Sequence, residues 1–266
     1  MKSIDMNLFP GGKPRAATFS YDDGVHQDKP LAELFNKYDL KATFHLNGGT
    51  FGRSNRISKD EIGIYEGHEV SCHSLTHPTL TNVNLESAVY QIIEDRKILE
   101  SLTGQPVVGM SYPNGAYDSR VIAILKTCGI VYCRTVVSTG TYSLPDDFLA
   151  WHPTCHHRDE RVFELIDGVT LRNRLNVLYI WGHAYEFDRN EHYNNWGHIE
   201  EICKRVSEIK DCWFATNIEI YRYATALKQL VFTVDGTVAM NPTALDLWIA
   251  VDGQPVKIPS GQTVTL

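Results

Sequence analysis

Strand-like and helix-like patterns take turns along most of this chain, and no other feature restricts its fold as much. Apolar, β-favouring runs fall at 17–21, 42–46, 106–112, 129–134, 148–151 and 176–181, with a shorter one at Glu69-Val70. Helical patterns lie between them. Asp28 is placed to cap a helix that opens at Pro30 and carries Leu31, Leu34 and Phe35 on one face. Residues 58–66 read as a second helix, with Ser58 as cap and Glu61 in the capping-box position. The clearest helix spans 84–102, where Leu85, Val89, Ile92, Ile93, Leu99 and Leu102 keep near-helical spacing up to a stop at Gly104. Further helical patterns cover 119–128 and 198–210. Such alternation predicts parallel strands joined by right-handed crossovers. A length of 266 residues with 43% hydrophobic content suits one large α/β domain with a small appendage.

The texture changes near Leu230. Short alternating runs at 230–235, 237–240, 245–251, 256–258 and 263–266 are punctuated by Asp235-Gly236 and Asp252-Gly253, both favourable hairpin turns. The expected division is therefore a barrel over 1–229 and an antiparallel β appendage over 230–266, too small to be stable alone and packed on the barrel.

Chemistry-bearing residues gather where predicted strands end. The run Ala17-Thr18-Phe19-Ser20-Tyr21 stops at Asp22-Asp23-Gly24, and Glu69-Val70 leads into Ser71-Cys72-His73-Ser74-Leu75-Thr76-His77-Pro78. Each segment alone also suits an ordinary turn or strand end, since Asp, Gly and Pro are common there. Together they read as a metal site: imidazoles four apart converge on one cation, and a carboxylate completes a set that leaves coordination open for water. Strand C-termini are where β/α barrels build active sites.

These segments resemble motifs of the polysaccharide deacetylases that share the NodB homology domain, carbohydrate esterase family four. Thr18 to Gly24 resembles the family's Thr-Phe-Asp-Asp-Gly with the stretch after Phe altered, and His73-Ser74-Leu75-Thr76-His77 is similar to its His-Ser/Thr-x-x-His. Ser111-Tyr112-Pro113-Asn114-Gly115-Ala116-Tyr117 resembles the Arg-x-Pro-Tyr-Gly motif, and Tyr179-Ile180-Trp181-Gly182-His183 the late Leu-x-His turn. The resemblance spans about residues 14–220. It implies a distorted, incomplete (β/α)7 barrel and a metal-dependent hydrolase removing N-acetyl or O-acetyl groups from a carbohydrate.

Carried over residue by residue, it makes Asp23, His73 and His77 the ligands of a divalent metal, foremost Zn2+, with Co2+, Ni2+ or Mn2+ as other occupants. Asp22 becomes the general base, His183 the general acid, and the backbone N–H of Asn114 an oxyanion donor. Tyr112, Tyr117, His152, Trp181 and Glu186 are candidates to line the sugar site, with rim packing the alternative for the aromatics and a solvated loop for Glu186. One departure stands out: the family's Arg, which pairs with the base, corresponds to Ser111.

Composition narrows partners. Lys and Arg number 25 against 32 Asp and Glu, a net charge of −7 that argues against nucleic acid. Met1-Lys2-Ser3-Ile4-Asp5 does not resemble a signal peptide, no run approaches membrane-spanning length, and the six cysteines show no Cys-x-x-Cys spacing. A cytoplasmic protein with buried thiols is expected, acting on an acetylated carbohydrate. Of the other histidines, His45 and His68 are expected to pack at strand ends and His192 and His198 to lie at the surface. Cys155-His156-His157 is set aside as a ligand cluster, because neighbours in a strand face opposite ways. The alternatives are a hydrolase of another small amide or ester, or a carbohydrate-binding relic.

Overall fold

The computed structural model describes residues 2–171 and 175–266. In chain order the elements are β1 (Ile4–Asp5), β2 (Arg15–Asp22), α1 (Asp28–Lys37), β3 (Ala42–Leu46), β4 (Glu69–Cys72), α2 (Leu85–Thr103), β5 (Gly109–Ser111) and α3 (Ser119–Thr127). They continue with β6 (Tyr132–Arg134), β7 (Cys155–His156), α4 (Val162–Gly168), β8 (Asn176–Gly182), α5 (Trp196–Ser207), β9 (Cys212–Phe214) and α6 (Asn217–Leu227). The tail adds β10 (Val231–Phe232), β11 (Val238–Met240), β12 (Leu247–Val251), β13 (Gln254–Ile258) and β14 (Thr263–Thr265).

Strands β2 to β9 form one parallel sheet in the order β6-β5-β4-β3-β2-β8-β7, with β9 added against β2. β9 pairs with Arg15–Ala17 and β3 with Phe19–Asp22, so successive halves of β2 serve different neighbours. The sheet curls with helices packed around it, the distorted (β/α)7 barrel expected. β2 and β8 are buried at every residue, as strands covered on both faces must be.

The helices follow their sequence signals with exceptions. Asn84 caps α2 by accepting from Ser87 N at 2.9 Å, and Gly104 ends it with φ 66°. Its buried face is Ala88, Ile92, Asp95 and Leu99, whereas Leu85 is 53% exposed. Asp28 does not cap α1. It lies inside the helix, buried, and accepts from the Tyr65 hydroxyl at 2.7 Å. The capping box at Ser58 and Glu61 forms, but the segment Lys59–Tyr65 winds as a 3-10 helix.

The strand expected over 148–151 is instead a 3-10 turn, Phe148–Ala150, held by the Asp147 side chain accepting from Leu149 N at 2.9 Å. Only Trp151 reaches the sheet. Its N–H bonds Cys133 O and its carbonyl accepts from Thr135 N, both at 3.0 Å, extending the barrel beyond β6. β7 falls within the stretch 155–157 that was read as strand, whereas α4, β9 and α6 were not anticipated.

The tail forms two three-stranded antiparallel sheets, β10-β11-β14 and β1-β12-β13. Asp252 and Gly253, at φ 49° and 77°, make the tight turn between β12 and β13. Leu247, Ile249 and Ile258 of the tail share a buried cluster with Phe9, Tyr179, Ile220 and Tyr223. All six cysteines are buried free thiols, and among the described residues no helix is long and apolar enough to cross a membrane.

Candidate active site

The chemistry-bearing side chains meet at the C-terminal ends of the parallel strands. Asp22 is the last residue of β2 and Asp23 follows it; His73 follows β4, Ser111 ends β5, Arg134 ends β6, and His183 follows β8. Strand direction alone brings them to one end of the barrel. The backbone there is unusual: Asp23, Ser74 and His77 take φ of 89°, 65° and 65°, which non-glycine residues adopt only when their surroundings hold them.

His73 is clamped before any ligand arrives. Its N–H donates to Asp95 Oδ2 at 3.1 Å, while Asn47 Nδ2 donates to the carbonyls of His73 and Ser74 at 2.6 and 2.7 Å. The His73 ring turns Nδ1 to the Ser111 carbonyl at 3.0 Å and to Ser111 Oγ at 2.6 Å. A carbonyl can only accept, so Nδ1 carries the hydrogen and Nε2 presents its lone pair to the site. Burial lowers the His73 pKa to about 4, which keeps the ring neutral.

Asp23, His73 and His77 offer ligand atoms within 4.8 Å of one another. Asp23 Oδ1 stands 4.0 Å from His73 Nε2 and 3.9 Å from His77 Nε2, too far for hydrogen bonds. Both spans can be bridged by one cation with ligand bonds of about 2.0–2.2 Å. Oδ1 is buried with no hydrogen-bond donor aimed at it, and Arg56 lies 3.6 Å away. A desolvated carboxylate oxygen facing two imidazoles fits a divalent ion of the zinc type.

Asp22 sits beside this group with a different set of partners. Ser111 Oγ donates to its Oδ1 at 3.0 Å, and Arg134, fully buried, forms an ion pair with Oδ2. Arg134 also donates to Thr135 O at 3.1 Å and lies 4.4 Å over the Trp181 ring. Burial by itself would raise the Asp22 pKa. Arg134, then His73, His45 and His183, outweigh it and hold the carboxyl far below the ordinary carboxylate range. The sequence left open what stands in for an arginine at position 111: the guanidinium comes from the end of the adjacent strand, and Ser111 keeps a hydroxyl that ties Asp22 to His73.

His183 reaches in from the other side, with Nε2 3.9 Å from Asp22 Oδ2 and Nδ1 3.7 Å from Glu186 Oε2. Burial would lower its pKa, but Glu186, Asp22 and Asp23 win and raise it, favouring the protonated ring. Glu186 is not the solvated loop carboxylate that was one expectation. It is 5% exposed and also borders His156 and His157.

The other anticipated residues divide. Tyr112 is 1% exposed and donates to Leu149 O at 2.7 Å, so it is core, not groove. Tyr117 stacks on it at 4.8 Å and is partly open. Trp181 is 8% exposed, with Nε1 donating to Ser138 Oγ at 3.2 Å, and works mainly as a plate under Arg134. His152 meets Thr135 Oγ1 at 2.6 Å, next to Arg134. Asn114 is exposed, at φ 59°, with its side chain donating to Thr79 Oγ1 at 2.8 Å. His45 is buried with Nδ1 3.3 Å from Cys72 O, and His68 Nδ1 accepts from Ala42 N at 3.3 Å. His198, expected at the surface, is 8% exposed and donates to His157 O at 3.0 Å.

Gly182 is fixed by close approach. A Cβ there would fall 2.0 Å from His157 Nδ1, in a ring that is itself fully buried. Gly182→Ala is expected to cost at least about 1–3 kcal/mol through overpacking, read as a lowered urea midpoint; an unchanged midpoint would mean that the ring relocates freely.

The strand ends of this parallel barrel gather two carboxylates and three histidines, Asp22, Asp23, His73, His77 and His183, in one place. Residues 10–133, just under half of the chain, match the family model described as polysaccharide deacetylase. Chitin deacetylase 1 of Cryptococcus neoformans is 29% identical over 138 residues, covering 50% of this chain and 28% of that protein. The peptidoglycan-N-acetylglucosamine deacetylase of Listeria monocytogenes is 29% identical over 115 residues, covering 41% and 24%. The matched region is thus only about a quarter of the length of these two relatives. A Mycobacterium smegmatis structure assigned to the polysaccharide deacetylases superposes with a TM-score of 0.63 at 16% identity, over 86% of this chain and 96% of that one. That likeness concerns the fold.

Proposed function

We propose that the chain is a metal-dependent hydrolase that removes N-acetyl, or O-acetyl, groups from a carbohydrate. The observation that carries this reading is the buried, donorless Asp23 Oδ1 set between two histidine Nε2 atoms, with Asp22 and His183 flanking the same position. Asp23, His73 and His77 would hold the cation. When bound, it supplies an acidified water and polarises the acyl oxygen.

The remaining steps belong to the protein's own groups. Asp22, kept ionised by Arg134, takes the proton of the attacking water. Hydroxyl addition turns the acetyl carbon tetrahedral, and the Asn114 N–H is the candidate donor to the oxygen that gains charge. His183, protonated and partly open to the surface, then gives its proton from Nε2 to the departing nitrogen as the C–N bond breaks. The relatives' names support an acetylated amino-sugar substrate; whether polymer or short oligosaccharide is settled by assay.

The test is acetate release from acetylated chitooligosaccharides, O-acetylated sugars, and a panel of simple amides and acetate esters. Metal content is measured in parallel on wild type and His73→Ala. Sugar-dependent acetate release that vanishes together with the metal in His73→Ala is expected. Release from simple amides alone would move the reading to a small-amide hydrolase, and no release from any of them by the metal-loaded protein would favour a binding relic.

A further inference from the structure

A second group of ligand atoms lies behind His183, away from Asp22. β7 ends at His156, so His157 escapes the strand alternation that was expected to send the two rings apart, and their centroids are 4.3 Å from each other. Both Nε2 atoms face Glu186. Its Oε2 stands 3.2 Å from His156 Nε2 and 3.4 Å from His157 Nε2, and the three atoms lie within 4.8 Å of one another.

These separations invite a hydrogen-bond reading, but direction argues against it. Glu186 Oε2 is buried and no donor is aimed at it, although two ring nitrogens lie within 3.4 Å. A shared cation would replace the ring protons at this point, so that both Nε2 lone pairs and Oε2 converge on it. For ligand bonds of about 2.0–2.1 Å in a tetrahedron, the atoms should be about 3.3–3.4 Å apart. The two observed spans match. His157 Nε2 now donates to Asn194 Oδ1 at 3.0 Å, and binding an ion requires that proton to move to Nδ1, where the Tyr21 hydroxyl 3.3 Å away can accept it; Asn194 Nδ2 is buried without a partner.

We propose that His156 and His157, through Nε2, and Glu186, through Oε2, form a second divalent transition-metal site, separate from the one at Asp23. Two imidazoles and one carboxylate select zinc or a similar first-row ion over calcium or magnesium, which prefer all-oxygen sets. His157 is built for the task. Tyr21 stacks on its ring at 5.8 Å and sets its hydroxyl 3.3 Å from Nδ1, and Gly182 leaves room for the ring. An outer hydrogen bond at the other ring nitrogen is what a ligating histidine requires. His156 must give up one contact: its Nδ1 now accepts the N–H of exposed Arg158 at 3.2 Å, and this loop bond opens when Nδ1 takes the proton that Nε2 loses. Oε2 also faces His183 Nδ1 at 3.7 Å, so the two sites meet at one carboxylate.

The inference does not depend on the deacetylase reading, because its test counts ions and not turnover. The full chain, stripped with chelator, is titrated with Zn2+ by calorimetry, and bound zinc is confirmed by elemental analysis. Wild type should bind two equivalents, His73→Ala one, Glu186→Gln one, and the double variant none. His156→Ala should match Glu186→Gln, and metal-free melting temperatures check that each variant is folded. A single equivalent in wild type that His73→Ala abolishes overturns the proposal. So do two equivalents that survive both Glu186→Gln and His156→Ala. Absence of acetate release with two equivalents bound would remove the proposed function and leave this site standing.

Discussion

Replacing Arg134 by methionine is expected to cost about 3–5 kcal/mol of folding stability, because it strands a buried carboxylate without its counter-charge. Asp22 is 2% exposed and Arg134 fully buried, so no water replaces the lost partner. Urea denaturation at neutral pH measures the loss. The companion change Asp22→Asn removes the charge that would be stranded, so the double variant should recover much of the stability of Arg134→Met alone. A fully additive double variant would mean that the guanidinium acts through its stacking on Trp181 and not through Asp22. A third chain, carrying Ser111→Arg with Arg134→Ser, moves the charge to the neighbouring strand end. It should restore the pairing but lose the Ser111 hydroxyl that joins Asp22 to His73.

The two neighbouring aspartates should fail in different ways. Asp22→Asn keeps the shape and should leave metal occupancy nearly intact, yet it removes the proton acceptor and should cut turnover by ~10²-fold or more. Asp23→Asn should instead weaken metal affinity, with part of the activity returning at excess metal. Added metal should not rescue Asp22→Asn. Turnover and bound zinc, measured on the same preparations, separate the outcomes; near-wild-type turnover by metal-loaded Asp22→Asn would reject the assignment of the base.

What could be read in the sequence was local. The histidines four apart, the carboxylates closing a strand and the alternation of strands with helices are written within short stretches, and the structure assembles them as expected. Arg134 was hidden because its partner lies 112 positions away, and nothing near it distinguishes it from an ordinary strand-end arginine. Asp95, a carboxylate within a helix, could not be seen to clamp His73 without the packing of α2 on the sheet. Two signals were present and unused. Thr216-Asn217-Ile218-Glu219 is a capping box, and both its bonds form at the start of α6. The pair His156-His157 was dismissed by a strand rule that stops applying one residue earlier than the alternation assumed.

The pairing of β1 with β12 sets a constraint on the order of synthesis. Ile4 aligns with Val251 and Asp5 with Ala250, so this strand meets its partner only after the residues up to 251 have been produced. Until then the barrel can collapse only with β1 undocked, and this pairing carries one of the larger loop-closure costs among the described contacts. Permuting the chain to begin at an exposed loop and joining the present ends by a short linker would make this pairing local, and should speed the final docking step while leaving the barrel's strand order unchanged.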